Sequence, residues 1–450
     1  MKILLFLLIF LISISSLLAD EFETTRKNQR NFNSIQLIYQ DGVPHTDKTG
    51  NILMEYDKEK SFFTIAAWGV PLHGEQYGEM YDWQLLKDAG FNTVWPYPIY
   101  PIDKQLEAFE KFDMQGIILH PINDEDLPKT IGNSHILGNC FKDEPIGLVG
   151  SYYEDNTPKS DKIFKEYTDY KTHAQEINPK LKIFVNDCTW NSEPATSWWV
   201  KWNTAGDIQC QDAYPITLDE EGATRTLAHN NIDLPNSVAW ATAINKEQKP
   251  VWLIVGPFSQ VDNYGGGSCF RWPTPNQLRS CVYAGIEHGA TGIIYFIWDS
   301  FISREGRVIG MSPNPKIKMA EGDKYVVAKP QDLVNSKAMW ETTKQINKEL
   351  KELAPYILSK TIKEKTYSVK IEGKFISPNG LRCLLKPDGE GGYILFATNI
   401  DAAWLQAEFT FEKEFLIAET MFEDGKILGK ADKVFKADFD PFETHIIHIR

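Results

Sequence analysis

The 450-residue sequence predicts an α/β fold: a (β/α)8 TIM barrel followed by a small C-terminal antiparallel β-sandwich. Three observations predict it. Eight short apolar β-type runs alternate with amphipathic helical stretches between residues 62 and 298. Glycines close several of those helices where a strand must follow. Beyond residue 360 the rhythm changes to short alternating runs separated by turn signals.

The eight runs are Phe62–Trp68, Asn92–Trp95, Gly116–His120, Leu137–Lys142, Lys182–Asn186, Asp207–Gln211, Val251–Val255 and Gly292–Trp298. Helical stretches lie between them, among them Met80–Ala89, Lys104–Phe112, Asp161–Ile177 and Pro275–Gly289, and Gly90, Gly116 and Gly289 sit where helix gives way to strand. An open doubly wound sheet would carry a Gly-rich phosphate turn after an early strand, and the sequence has none. Lys337–Leu353 reads as a helix stopped by Pro355. Strands are then expected at Tyr367–Ile371, Tyr393–Thr398, Ala407–Phe411, Leu416–Met421 and His445–Ile449, with turns at Pro378-Asn379-Gly380, Asp388-Gly389 and Asp424-Gly425. The domain reading is a signal peptide over 1–19, an N-terminal extension with a lead-in strand over 20–60, the barrel over 61–355 and the sandwich over 356–450. The sandwich is expected to serve packing rather than carbohydrate binding.

Residues Met1–Ala19 combine Lys2 with an apolar run, the pattern of a cleaved secretory signal, with an uncleaved anchor as the alternative. Export implies an oxidising compartment in which Cys140, Cys188, Cys210, Cys269, Cys281 and Cys383 can pair, in a connectivity that spacing does not give. The formal net charge of −14 argues against nucleic-acid or anionic-membrane partners, which need a basic footprint. Oligomeric state is not legible.

In such a barrel the active site forms at the C-terminal ends of the strands. The residues ending the runs are Trp68; Trp95 to Tyr97; His120; Asp143 and Glu144; Asn186 and Asp187; Asp212 and Tyr214; and Trp298 and Asp299. Carboxylates can share acid, base and nucleophile roles on an acetal. Flat aromatic faces suit the C–H faces of sugars. Asp187 and Asp299 have an ordinary alternative as helix caps, and His120 reads as a packed histidine rather than a base. No His/Cys cluster has metal-ligand spacing, so neither metal nor cofactor is expected.

The fourth run ends Asn139-Cys140-Phe141-Lys142-Asp143-Glu144-Pro145 and the sixth ends Gln211-Asp212-Ala213-Tyr214-Pro215. The last units read Arg271-Trp272-Pro273-Thr274-Pro275, Tyr283 to Ala290, and Gly292-Ile293-Ile294-Tyr295-Phe296. Over about residues 60 to 300 this resembles secreted barrel glycosidases of the large retaining clan, whose Asn-Glu-Pro signature carries the acid/base glutamate after strand four. The resemblance implies that role for Glu144, with Asp143 where the signature has Asn. The clan's nucleophile is a glutamate ending strand seven, whereas this chain runs Val251 to Gln260 with no carboxylate before Asp262.

The reading is hydrolysis of glycosidic bonds in an extracellular oligo- or polysaccharide, with Glu144 as general acid, Asp212 as base or nucleophile, and Asp143 tuning Glu144 through the repulsion of adjacent charges. Trp68, Trp95, Tyr97, Asp187, Trp190, Tyr214, Trp298 and Asp299 are the expected substrate contacts. The Gly265–Gly267 stretch within Gln260–Phe270 reads equally as a lid or a flexible loop. Because Asp is one carbon shorter than Glu, a wide carboxyl gap and inversion of configuration are expected. The rival is a non-catalytic carbohydrate-binding protein on a degenerate glycosidase barrel. A non-sugar ester or amide hydrolase would need a Ser/Cys–His pair or a metal.

Overall fold

A computed structural model of the chain describes residues 38–39, 41–72, 83–188, 193–217, 225–228, 233–261, 270–303, 306–313, 316–318, 325–327, 330–362, 366–373, 376–377 and 380–450. The signal segment, Trp190, Cys269 and the Gly265–Gly267 stretch lie outside the described residues.

Eight parallel strands close into a barrel: Thr64–Val70, Thr93–Pro96, Gln115–Leu119, Ile136–Asp143, Ile183–Asp187, Gln209–Asp212, Val251–Val255 and Gly292–Tyr295. Each pairs in parallel with its neighbours, and the eighth returns to the first through Ile293↔Ile65. Side chains alternate along every strand, which explains why the runs read as continuously apolar. Ala66, Ile117, Cys140, Phe184, Cys210, Trp252 and Ile294 point into the barrel and fill it. Ile65, Ala67, Ile183, Val251, Leu253 and Ile293 point outward into the layer beneath the helices.

The helices follow from the sequence signals. Ile102–Phe112 ends at Asp113 in a left-handed turn. Pro275–Glu287 begins with a capping box between Thr274 and Gln277. Gly90 (φ +90) and Gly289 (φ +115) occupy backbone conformations that side chains rarely adopt, as expected where a helix must reverse into a strand. The last helix differs from expectation. It runs over Pro330–Ile357 with Pro355 inside. A proline so near the end removes only one late hydrogen bond, and burial of Ile357 (3% exposed) and Leu358 (1%) holds the final turn.

Two small sheets go beyond the expected elements, which placed only a lead-in strand before the barrel. His45–Asp47, Ile52–Leu53 and Ser61–Phe62 form an antiparallel sheet leading into the first barrel strand. It lies against the N-terminal end of the barrel, where Thr291 Oγ1 donates to Pro44 O at 3.1 Å. A second sheet joins Ser259–Val261, after barrel strand seven, to Ser300–Ser303, Gly306–Ile309, Lys316–Lys318 and Tyr325–Val327, after strand eight. Its strands are three or four residues long, too short for periodicity to register.

The C-terminal region is a six-stranded antiparallel sheet curled into a sandwich-like domain: Tyr367–Gly373, Leu381–Pro387, Tyr393–Asn399, Leu405–Thr420, Ile427–Phe439 and Thr444–Ile449. Two expected strands merge into Leu405–Thr420, which bends where its register slips between Thr410 and Phe415. Period-two alternation gives this sheet two apolar faces. Leu385, Leu395, Ala397 and Ile447 enter its own core, while Leu384, Ile394, Phe396 and Ile446 join the barrel's outer layer. Polar contacts fix the junction: Thr398 Oγ1 donates to the buried Glu287 Oε1 at 2.8 Å, and Arg279 bonds both Glu349 (3.0 Å) and the Thr444 carbonyl.

Candidate active site

The site grows from the strand ends. In strand six, Gln211 faces outward, accepting from Trp199 Nε1 at 2.9 Å and donating to Asn203 Oδ1 at 2.6 Å. That anchor turns Asp212 inward, where it is 4% exposed. In strand four, Asn139 is tied to strand three by bonds to the Ile118 (2.9 Å) and His120 (2.8 Å) carbonyls. Asp143 lies in register with Asn186 of strand five and accepts from its Nδ2 at 2.9 Å. The chain then turns sharply: Glu144 has φ 42, in the left-handed region, and its N–H donates to Asn186 O at 2.9 Å. This turn swings the Glu144 side chain to the exposed rim while Asp143 stays half-buried.

One donor atom each from Glu144, Cys188 and Asp212 lies within 4.8 Å of the other two. Asp212 is hydrogen-bonded to Glu144, yet its Oδ1 has no partner. Burial, then the Glu144 charge and that hydrogen bond, push the Asp212 carboxyl well above the usual carboxylate range. Asp187 is fully buried; its Oδ1 accepts from Cys188 N (3.1 Å) and Ile146 N (3.4 Å) and its Oδ2 has no partner. Burial first and Glu144 second drive it upward too. Burial, with Glu144 adding to it, raises the Asp143 carboxyl to about 6 although the Asn186 bond opposes this. At Asp143 burial is the larger cause and the adjacent Glu144 charge the smaller one.

The aromatic expectations divide. Trp68 and Trp95 stack at 4.2 Å with planes 6° apart, and Phe296 abuts Trp68 edge-on at 5.1 Å. Trp95 has no exposed area and Trp68 5%, so the stack forms the top of the barrel's packed interior, and Trp95 cannot touch a sugar as arranged. Trp298 is corrected outright: it is fully buried in the outer layer, edge-on to Trp340 at 5.0 Å. Asp187, with no exposed surface, supports the turn at Ile146 rather than reaching a ligand. Asp299, 3% exposed, accepts from Ser300 N at 2.7 Å in a local turn. Tyr97 is half-buried with its hydroxyl 3.5 Å from Asp299 Oδ2. Tyr214 is half-buried beside Asp212 and meets Phe258 edge-on at 5.2 Å; the two help line a small apolar recess with Ile216, Phe270 and Leu278. His120, expected to be packed, is exposed in a left-handed turn at φ 71. Partial burial and Lys142 lower its affinity for a proton.

Strand seven ends at Val255. A Cβ on Gly256 would lie 2.6 Å from the Phe258 ring and 2.9 Å from that of Tyr214, so those rings occupy the space a side chain there would need. The short approach of Glu144 to Asp212 also corrects the wide gap expected from Asp being the shorter acid: the left-handed turn at Glu144 carries its side chain towards strand six. Cys188 was missed although it directly follows Asp187. Cys140, Cys188, Cys210, Cys281 and Cys383 are all thiols, so the expected pairing does not occur among these five. Tyr152, 60% exposed, lies on the segment after strand four, which the strand-end rule does not reach.

No known family profile matches this chain, and no curated protein matches it in sequence. Similar solved structures include a family 5 glycoside hydrolase of Bacteroides vulgatus, 12% identical, TM-score 0.48, covering 92% of this chain and 95% of that one. An exo-carrageenase of glycoside hydrolase family 42 from Bacteroides ovatus is 9% identical with TM-score 0.48, covering 92% and 85%. A family 42 β-galactosidase from G. stearothermophilus is 9% identical with TM-score 0.47, covering 85% and 98%. Overlaps this loose carry no chemistry.

Proposed function

We propose that this chain hydrolyses glycosidic bonds, with Glu144 and Asp212 as its catalytic carboxyl pair. One observation carries the reading: an exposed and a buried carboxyl meet at the mouth of a parallel barrel with oxygens within 4.8 Å of each other. Two carboxyls this close cannot both ionise cheaply, so the pair holds one proton between them. Glycosidic cleavage needs that inventory: one proton for the leaving oxygen and one carboxylate for the anomeric carbon or for water.

The spacing favours double displacement, since retaining pairs stand ~5–5.5 Å apart whereas inverting pairs leave ~6.5–9.5 Å for a water. Glu144, at the rim, protonates the leaving oxygen while Asp212 attacks the anomeric carbon. Glu144 then draws a proton from the water that releases the sugar. Asp143 and Asp187 act through Glu144, holding the turn that presents it. Tyr97, Tyr214 and Tyr152 offer faces to the sugar, and the Met1–Ala19 segment supports a secreted enzyme acting on an extracellular oligo- or polysaccharide.

The burial that keeps the resting proton on Asp212 favours the reverse assignment, with Asp212 as donor and Glu144 as nucleophile. Glu144→Gln and Asp212→Asn, assayed on a natural oligosaccharide and on an activated aryl glycoside, separate the two. Loss of the acid spares the aryl substrate, which needs little protonation, and loss of the nucleophile abolishes both activities. Full activity in both variants would remove the pair from catalysis. Saturable glycan binding without hydrolysis across a broad panel would establish the binding-protein alternative.

A further inference from the structure

We propose that Glu144, Cys188 and Asp212 together bind one thiophilic divalent cation, of the Zn2+ class, at the barrel mouth. The three side chains sit at or one residue past the ends of three consecutive barrel strands, the fourth, fifth and sixth, and their donor atoms lie within 4.8 Å of one another. A tetrahedral Zn2+, with sulfur at ~2.3 Å and oxygens at ~2.0–2.2 Å, holds its donors about 3.3–3.8 Å apart. The 4.8 Å limit is about an ångström above the spacing of a loaded site, so the donors need little movement, and the exposed Glu144 is the side chain freest to make it.

A second observation points to a ligand. Asp212 is 4% exposed and its Oδ1 has no hydrogen-bond partner. A buried carboxylate oxygen without a donor carries a desolvation cost that a metal bond removes. The donor set also selects among cations. Ca2+ takes six to eight oxygens and Mg2+ demands an octahedral shell, whereas two carboxylates and one thiolate suit Zn2+ and its softer neighbours, leaving the fourth position to water. Among the described cysteines only Cys188 qualifies: Cys140 and Cys210 are fully buried inside the barrel, and Cys281 and Cys383 are buried elsewhere. The consequence for activity rests on the glycosidase reading: a cation held by Glu144 and Asp212 occupies both catalytic carboxyls and acts as a reversible inhibitor.

The test is titration of the reduced full chain with Co2+, followed by absorption, with Zn2+ binding measured by calorimetry. A stoichiometric thiolate-to-cobalt band in the near ultraviolet, with intense tetrahedral bands in the visible, is expected. Cys188→Ser should abolish the near-ultraviolet band and Asp212→Asn should weaken Zn2+ binding about tenfold or more, whereas Cys383→Ser, in the C-terminal sheet, should leave both signals intact. A saturated chain without the band, a band that survives Cys188→Ser, or Zn2+ affinity unchanged in Asp212→Asn would overturn the site. None of these readouts needs catalysis. The band without any glycan hydrolysis would therefore refute the glycosidase reading alone, and hydrolysis without the band would refute the cation site alone.

Discussion

Replacing Asp143 by Asn should stabilise the protein, in a way that depends on pH. The Asp143 carboxyl is raised from its ordinary 3.8 to about 6, chiefly because it is buried. A carboxyl whose folded value lies above its unfolded value ionises more readily in the unfolded chain, so stability is lost as pH rises through that window. The shift corresponds to about 3 kcal/mol against the folded state at pH 7 and to nothing below both values. Asn at this position keeps the acceptor oxygen for Asn186 Nδ2, now 2.9 Å from Asp143 Oδ1, and removes the charge. Urea unfolding followed by tryptophan fluorescence reports the barrel directly, because Trp95, Trp202 and Trp252 are fully buried there. The variant should be more stable by up to about 3 kcal/mol at pH 7, with the difference shrinking steadily between pH 6 and pH 4. A difference that does not change with pH, or a variant less stable at pH 7, would refute the claim that Asp143 is ionised at a cost.

Other expectations follow from the same geometry. Glu144→Gln should keep the fold and lower hydrolysis of a substrate with a poor leaving group roughly 100- to 10,000-fold; a loss under tenfold would remove it from the acid role. Trp68→Ala deletes a ring stacked at 4.2 Å on Trp95 and should cost about 3–5 kcal/mol in the same urea assay, so a cost under about 1 kcal/mol would mean that the stack does not support the mouth. Arg279→Ala leaves Glu349, with 4% of its side chain exposed, without its ion-pair partner, and should cost about 3–5 kcal/mol and loosen the C-terminal sheet, seen as faster proteolysis between the two parts. Because Asp212 binds its proton more tightly than an ordinary carboxyl, activity should persist above the usual carboxylate range and fall on the basic side as the shared proton is lost. Activity that does not fall on the basic side would separate turnover from the shared proton.

The barrel was legible because parallel strands buried on both faces leave an apolar run at each turn of the chain, and eight such runs survive in this sequence. Glu144 and Asp212 were legible as strand-end residues, because the C-terminal strand ends of a closed barrel gather at one rim. What sequence did not show is which way a strand-end residue faces. Trp298 and Trp95 satisfy the strand-end rule as well as Tyr214 does, yet one packs outward on Trp340 and the other inward beneath Trp68. The left-handed turn at Glu144 was hidden because nothing in a glutamate announces φ 42, and it is this turn that brings Glu144 close to Asp212. Cys188 was hidden by being read for disulfides rather than for the carboxyls beside it. The single long strand Leu405–Thr420 was split in two because its bend interrupts the alternation that marks a strand.

The most direct test of the account is proton NMR of the first product formed when the purified chain is incubated with an oligosaccharide that it cleaves, drawn from a panel of linkages. The account expects new reducing ends of retained anomeric configuration, formed by the wild type and lost in both Glu144→Gln and Asp212→Asn. Product of inverted configuration, or unchanged product formation in Asp212→Asn, would contradict the claim that these two carboxyls, held this close, carry out the cleavage.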